Sequence, residues 1–215
     1  MATRFYPDRV NTPDVSPAYD GSWDETASAL RRKLLLAIGA TGSSTNLDTD
    51  TVNGPAYYLL WQLVTEPLDA ISATLAVAKA AFLCSENNAK TNGYLHLVFR
   101  KCDGDGSNPV TIDSMTDDVE FNVGQQNRFI GSSNLTDQAL SQGDRLIVEV
   151  GFYSNTSKDT GYTGTVYATS SGSGDFPEND TETLAYSSWI ETGDTFTEAS
   201  GEPAAIKLGP MFTFA

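Results

Sequence analysis

Along much of this chain the apolar side chains recur at every second position, the period of a strand covered on one face. Ile71, Ala73, Leu75 and Val77 alternate with Ser72, Thr74, Ala76 and Ala78, and the alternation runs on less strictly to Leu83. Beyond the turn-forming run SENNAKTNG, Leu95, Leu97 and Phe99 alternate with His96, Val98 and Arg100. Leu146, Val148, Val150 and Phe152 form one face of a further strand, with Arg145, Ile147 and Glu149 on the other. A shorter alternation joins Val119, Phe121 and Val123. YYLLWQLV (57–64) reads as a buried strand that stops at Glu66-Pro67. TGTVYAT (163–169), Ser188 to Thr192 and the closing IKLGPMFTFA add three more. LRRKLLLAI (30–38) suits either a short helix or a strand, because its periodicity fits both.

Eight or so strands separated by turn signals, with no convincing helix longer than two turns, predict an all-β protein. The expected architecture is an antiparallel β-sandwich, and its long loops favour a jelly roll. Residues 26–215 read as one such domain, a length at which a single sizeable β core is ordinary.

Residues 1–25 differ from the rest. Pro7, Pro13 and Pro17 exclude helix and interrupt ladders, while Phe5, Tyr6, Tyr19 and Trp23 are too aromatic for a solvated tail. An extended N-terminal arm is expected, its aromatics docked on its own domain or on a neighbouring subunit. Those four side chains are the candidate partner-binding anchors.

Charge removes several classes of partner. Twenty-eight acidic against thirteen basic residues give a net charge of −15, which disfavours nucleic acid and anionic membrane surfaces. No apolar run is long enough to span a bilayer, and MATRFYPDRVNTP lacks the apolar stretch of a secretory signal, so synthesis in the cytoplasm is expected. Cys84 and Cys102 are expected as free thiols. If the strands on either side of SENNAKTNG form a plain hairpin, Cys84 faces a residue near 95 and Cys102 one near 77, too far apart for a disulfide.

The residues offer little to a catalyst, and no enzymatic activity is expected. His96, the single histidine, sits mid-strand opposite the core stripe with no carboxylate placed beside it by a motif. One histidine and two distant cysteines do not make a zinc site, and no phosphate-binding glycine fingerprint is present. Glu66, Asp69, Asp118 and Glu120 are the carboxylates a glycosidase would draw on, but no motif pairs them. No cofactor is expected, with one metal to weigh. Asp103, Asp105 and Asn108 present oxygens on a flexible loop that could hold calcium, although Asp-Gly runs are also ordinary turn chemistry. Three glycosylation sequons, at Asn134, Asn155 and Asn179, lack the secretory context that would give them meaning.

The arm TRFYPDRVNTPDVSPAYDGSWDET resembles the opening of structural proteins of tailed-bacteriophage virions, in which an RFY start, a VSPA element and a W-[DE]-x-[ST] element precede a β domain. The blocks AFLCSENNAKTNGYLHLVFRKCDGDG, GDRLIVEVGFYSN and SSWIET look like the β domain of the same group. The resemblance implies a capsid decoration or tail-associated protein, made in the host cytoplasm and carried on the virion. Its implied partners are the major capsid protein or other virion proteins, together with copies of itself in a homo-oligomer, a trimer by analogy with symmetric lattices. It brings no catalytic residues. The alternative expectation is a tail-associated adhesin or carbohydrate-binding module, stacking sugars on Tyr153, Tyr162, Tyr167, Tyr186 or Trp189 with calcium at the Asp103 loop.

Overall fold

The computed structural model describes residues 2–38, 45–48, 54–69, 78–133, 139–156, 161–169, 174–180 and 186–199. The alternation expected over 71–77, the closing segment 206–215 and the sequon at Asn134 lie outside the described residues.

The described chain is built of strands, with no helix among the described residues. They are β1 (Thr3–Pro7), β2 (Leu30–Leu35), β3 (Thr45–Asp48), β4 (Ala56–Thr65), β5 (Ala78–Glu86), β6 (Gly93–Cys102), β7 (Val110–Glu120), β8 (Gln126–Ser133), β9 (Arg145–Ser154), β10 (Gly164–Ala168) and β11 (Trp189–Thr192). LRRKLLLAI resolves as a strand: β2 runs parallel to β4, and every other pairing is antiparallel.

The strands follow the order β3-β10-β5-β11-β1-β2-β4-β9-β6-β7, with β8 on the other edge of β5. The sheet folds over itself into two layers. Sheet A holds β3, β10, β5, β8 and β11, and sheet B holds β2, β4, β9, β6 and β7. β1 belongs to both: Thr3–Phe5 pair with β11, then Tyr6 and Pro7 pair with β2. Phe82 and Cys84 of sheet A meet Leu97, Phe99, Val148, Val150 and Phe152 of sheet B in one apolar core. The molecule is therefore an all-β, mostly antiparallel sandwich. The strand order defines the sandwich and not the jelly-roll wiring expected within it.

One expected pairing is overturned. β5 and β6, the strands flanking SENNAKTNG, are not a hairpin: β5 pairs with β8, β10 and β11, whereas β6 pairs with β7 and β9. The turn carries the chain from one sheet to the other. Both cysteines are free and buried all the same, Cys84 between the sheets and Cys102 on the outer side of sheet B with Val64, Ile147 and Val15.

A second departure concerns burial. Arg145, Ile147 and Glu149 alternate with the core stripe of β9, yet they too are buried. The cover comes from the segment between β1 and β2. Val15 packs on Val64 and Ile147, and Trp23 and Tyr19 pack on Leu59 and Val98. The stretch read as an arm thus contributes a strand shared by both layers and a strap over sheet B. The outer face of sheet A is covered in the same manner, with Phe176 and Tyr186 packed over Trp189, Tyr167 and Leu83.

Candidate functional site

A buried group of polar side chains lies beneath the strap. Glu149 of β9 is fully buried and accepts from four donors. Trp23 Nε1 donates at 2.7 Å, Gln62 Nε2 at 2.9 Å, Arg100 Nη1 at 2.9 Å and the Asp20 amide at 3.1 Å. Arg100 also donates to Ala18 O at 2.6 Å and lies 3.4 Å from Asp20 Oδ2. Gln62 Nε2 and Arg31 Nη2 both reach Pro17 O at 3.2 Å, and the Arg31 guanidinium stacks 4.2 Å above the Tyr19 ring. Burial raises the Asp20 carboxyl, but hydrogen bonds from Thr111 and Ser22 and the charge of Arg100 outweigh it and hold the group below its ordinary range. A buried carboxylate met by this many donors is compensated, so the strap is clamped down without an orphaned charge.

The strap fits because β9 has a glycine under it. A Cβ at Gly151 would stand 1.9 Å from Tyr58 O and 2.9 Å from the Trp23 ring. The pairing of β4 with β9 shifts register at this point, between Leu59 and Trp61. His96 lies under the same strap, its ring 5.1 Å from Trp23 and 4.6 Å from Tyr57, with Nδ1 2.7 Å from Thr116 Oγ1. Burial lowers its pKa to about 4, so the ring is neutral at physiological pH.

All four candidate anchors are engaged within their own chain. Phe5 is fully buried, edge-on to Phe196 with ring centroids 5.4 Å apart. Tyr6 is half-buried and donates to Asp175 at 3.2 Å, beside Arg4, which joins Asp175, Glu178 and Glu191 and stacks 4.1 Å above Trp189. Trp23 is buried on Glu149, and Tyr19 is half-buried beneath Arg31. What the strap leaves to solvent is its crest, where Val10 is 72% exposed.

The Asp103 loop is held by its own hydrogen bonds. Asp103 Oδ2 accepts from Asn108 Nδ2 at 2.7 Å, Asp105 Oδ1 accepts from the Ser107 amide at 2.9 Å, and Gly106 and Asn108 take positive φ. These are turn contacts, and the Asn108 amide nitrogen already faces Asp103. Among the described residues no group of three or more His, Cys, Asp or Glu is arranged to hold a metal. The hydrolytic candidates are likewise dispersed. Glu66 bonds Lys33 at 2.5 Å, Asp69 accepts from Thr197 at 2.9 Å, and Asp118 and Glu120 lie on β7. Of the aromatics considered for sugar stacking, Tyr167 and Trp189 are buried, and Tyr153, Tyr162 and Tyr186 are half-buried.

A group the sequence did not single out lies where β7 approaches β8. Glu86 is 3% exposed, and burial pushes its pKa up to about 7, with the charge of Glu120 adding to the shift. Asp117 is 7% exposed and is pushed up to about 6, first by burial and then by Asp180. Arg128 is buried with them and donates to Glu120 O. No local spacing announces this cluster, because its members come from β5, β7, β8 and the 174–180 segment.

The fold and this site define a class: an all-β sandwich clamped by its own N-terminal segment. No family model and no curated protein matches the chain. Among solved structures it is similar to a selenomethionine-labelled alpha-amino acid ester hydrolase at 10% identity and a TM-score of 0.46. That likeness covers 79% of this chain but 35% of the hydrolase, so this chain spans about a third of that protein, and a match at this level carries no argument about activity.

Proposed function

We propose that the protein is a structural component of a tailed-bacteriophage virion, a capsid decoration protein that docks on the shell through the exposed part of its arm and through its sandwich. The observation that carries the reading is the strap. The elements behind the resemblance, VSPA and W-D-E-T, are those that sheet B grips, through Pro17 and Ala18 carbonyls, the Asp20 amide and the Trp23 indole. A short segment spent on locking a sandwich suits a part that must stay folded on a particle. The charge of −15 suits loops turned outward to solvent. A lasting attachment to the shell requires about 1,200 Å² or more of buried surface, which the strap crest and one edge of the sandwich together would have to supply.

The test is quantitative mass spectrometry of gradient-purified particles, scaled to the major capsid protein. A fixed copy number in the hundreds is expected. A few copies per particle would move the protein to the tail and favour the adhesin reading, for which a glycan array with and without calcium is the next measurement. Absence from the particle would end the virion reading.

A further inference from the structure

Along one side of the sandwich β1 ties the two layers together, pairing first with β11 and then with β2. The opposite side has no such tie. There β7 ends sheet B and β8 ends sheet A, and among the described residues neither outer edge pairs with another strand. A groove of about 540 Å³ separates them, lined by Ser114 to Asp118 of β7 and Phe129 to Gly131 of β8.

On its β7 side the groove offers peptide groups at Thr116: the outward amide of Ser114 is taken by Asp113 Oδ1 at 2.8 Å, and by the period of two Thr116 turns its own peptide groups to the same outer edge. On the β8 wall the Phe129 amide is already taken by Asp180 Oδ1 at 3.0 Å, leaving that side to supply packing. Met115 and Ile130, at 6% and 7% exposure, give the groove an apolar floor, and Val110 and Val119 stand exposed at 46% and 39% on the same strand.

Its chemistry selects a cation. Asp117 is 7% exposed, faces the groove on the core side of β7, and has no hydrogen-bond partner at Oδ2. Its other oxygen accepts from the Val119 amide at 3.2 Å. Arg128 lies near enough for its charge to favour the Asp117 carboxylate, but its Nη2 donates to Glu120 O and no hydrogen bond joins it to Asp117 Oδ2. Asp118 and Asp180 add negative charge, and a second copy of this chain, itself at −15, would be repelled. A buried carboxylate oxygen left unpaired is costly until a donor reaches it.

We propose that this seam is a strand-addition site for a partner protein. An extended segment bearing lysine or arginine lies along β7, its cationic side chain on Asp117 and its apolar side chains on Met115 and Ile130. The added strand would close the open side as β1 closes the other. The proposal goes beyond the virion reading and does not depend on it, since the seam is present whether or not the protein is found on a particle.

The test is titration of the isotopically labelled full chain with the capped heptapeptide TVTKTVT, which puts its valines and its lysine on one face, followed by amide chemical shifts and hydrogen exchange. Shifts and slowed exchange confined to residues 114–119 and 129–131 are expected. Asp117→Asn should weaken binding at least tenfold and Asp118→Asn less, with the melting temperature of each variant checking its fold. The glutamate peptide TVTETVT should not bind. No shift at millimolar TVTKTVT, equal binding of the two peptides, or unchanged affinity in Asp117→Asn would each overturn the proposal.

Discussion

At position 149 a carboxylate without solvent exposure accepts from two side chains of sheet B and from two groups of the strap above it. Truncating it leaves Arg100 buried beside its remaining contacts with Asp20 and Ala18, so Glu149→Ala should cost about 3–5 kcal/mol. Trp23→Phe keeps most of the ring and removes one hydrogen bond, for a loss of about 1 kcal/mol. Urea unfolding of the two variants separates the outcomes, and equal losses would mean that the indole packing outweighs the carboxylate network. Gly151 sets the other condition for the strap. A methyl group there meets the Tyr58 carbonyl, which belongs to the backbone and cannot swing aside, so Gly151→Ala should cost about 3 kcal/mol. Gly124→Ala is the control: nothing lies within 4 Å of its added Cβ, and the midpoint should stay within about 0.5 kcal/mol of the parent.

Among elements, β1 joins the layers and the strap follows from it directly, so residues 1–25 cannot be removed as an appendage. Their loss would take Phe5 out of the core, open sheet A to sheet B along one side, and bare Leu59, Val98 and Ile147. A chain lacking residues 1–25 should lose its cooperative thermal transition and bind a hydrophobic dye, as expected when packing is lost but strands persist. A sharp native-like melt would show the strap to be dispensable. Attachment to a partner is better probed at the exposed crest, by Val10→Asp, than by truncation. The same elements show what the sequence made legible. β4, β9, β10 and the Leu95–Phe99 part of β6 declared themselves through alternation or unbroken apolar runs, because core burial imposes those patterns locally. β7 did not, because its pairing with β6 shifts register twice and displaces Ile112 and Met115 from a single period. The β5–β6 hairpin does not form for a related reason: SENNAKTNG announces a turn, but which sheet receives the next strand depends on distant partners. The aromatic density of Phe5, Tyr6, Tyr19 and Trp23 marked them as side chains that dock, whereas nothing in it marked the surfaces of their own chain on which they pack. Glu149 and Asp117 had no local signature, since the donors of Glu149 come from β4, β6 and the strap, and the surroundings of Asp117 from β8 and the 174–180 segment as well as β7.

For the molecule as a whole, pH acts on stability from both directions. His96 has its folded pKa lowered from 6.5 to about 4, so the stability it contributes is present above 6.5 and is lost as pH falls through 4. Glu86 behaves oppositely: its pKa rises from 4.5 to about 7, so its contribution is complete below 4.5 and is lost as pH climbs through 7. Asp117 acts in the same direction, from 3.8 to about 6. The two carboxyls belong to a chain that already carries −15, where ionising them adds charge to charge and Arg128 compensates only in part. Glu86→Gln keeps an acceptor for the Gly93 amide and removes the ionisation. The variant should match the parent at pH 4 and exceed it by about 2–3 kcal/mol at pH 8, as a shift of this size implies. Urea midpoints at pH 4, 6 and 8 measure the difference. A constant offset across that range would assign Glu86 to hydrogen bonding alone, while a gain that grows with pH would assign the alkaline loss of stability to the ionisation of Glu86.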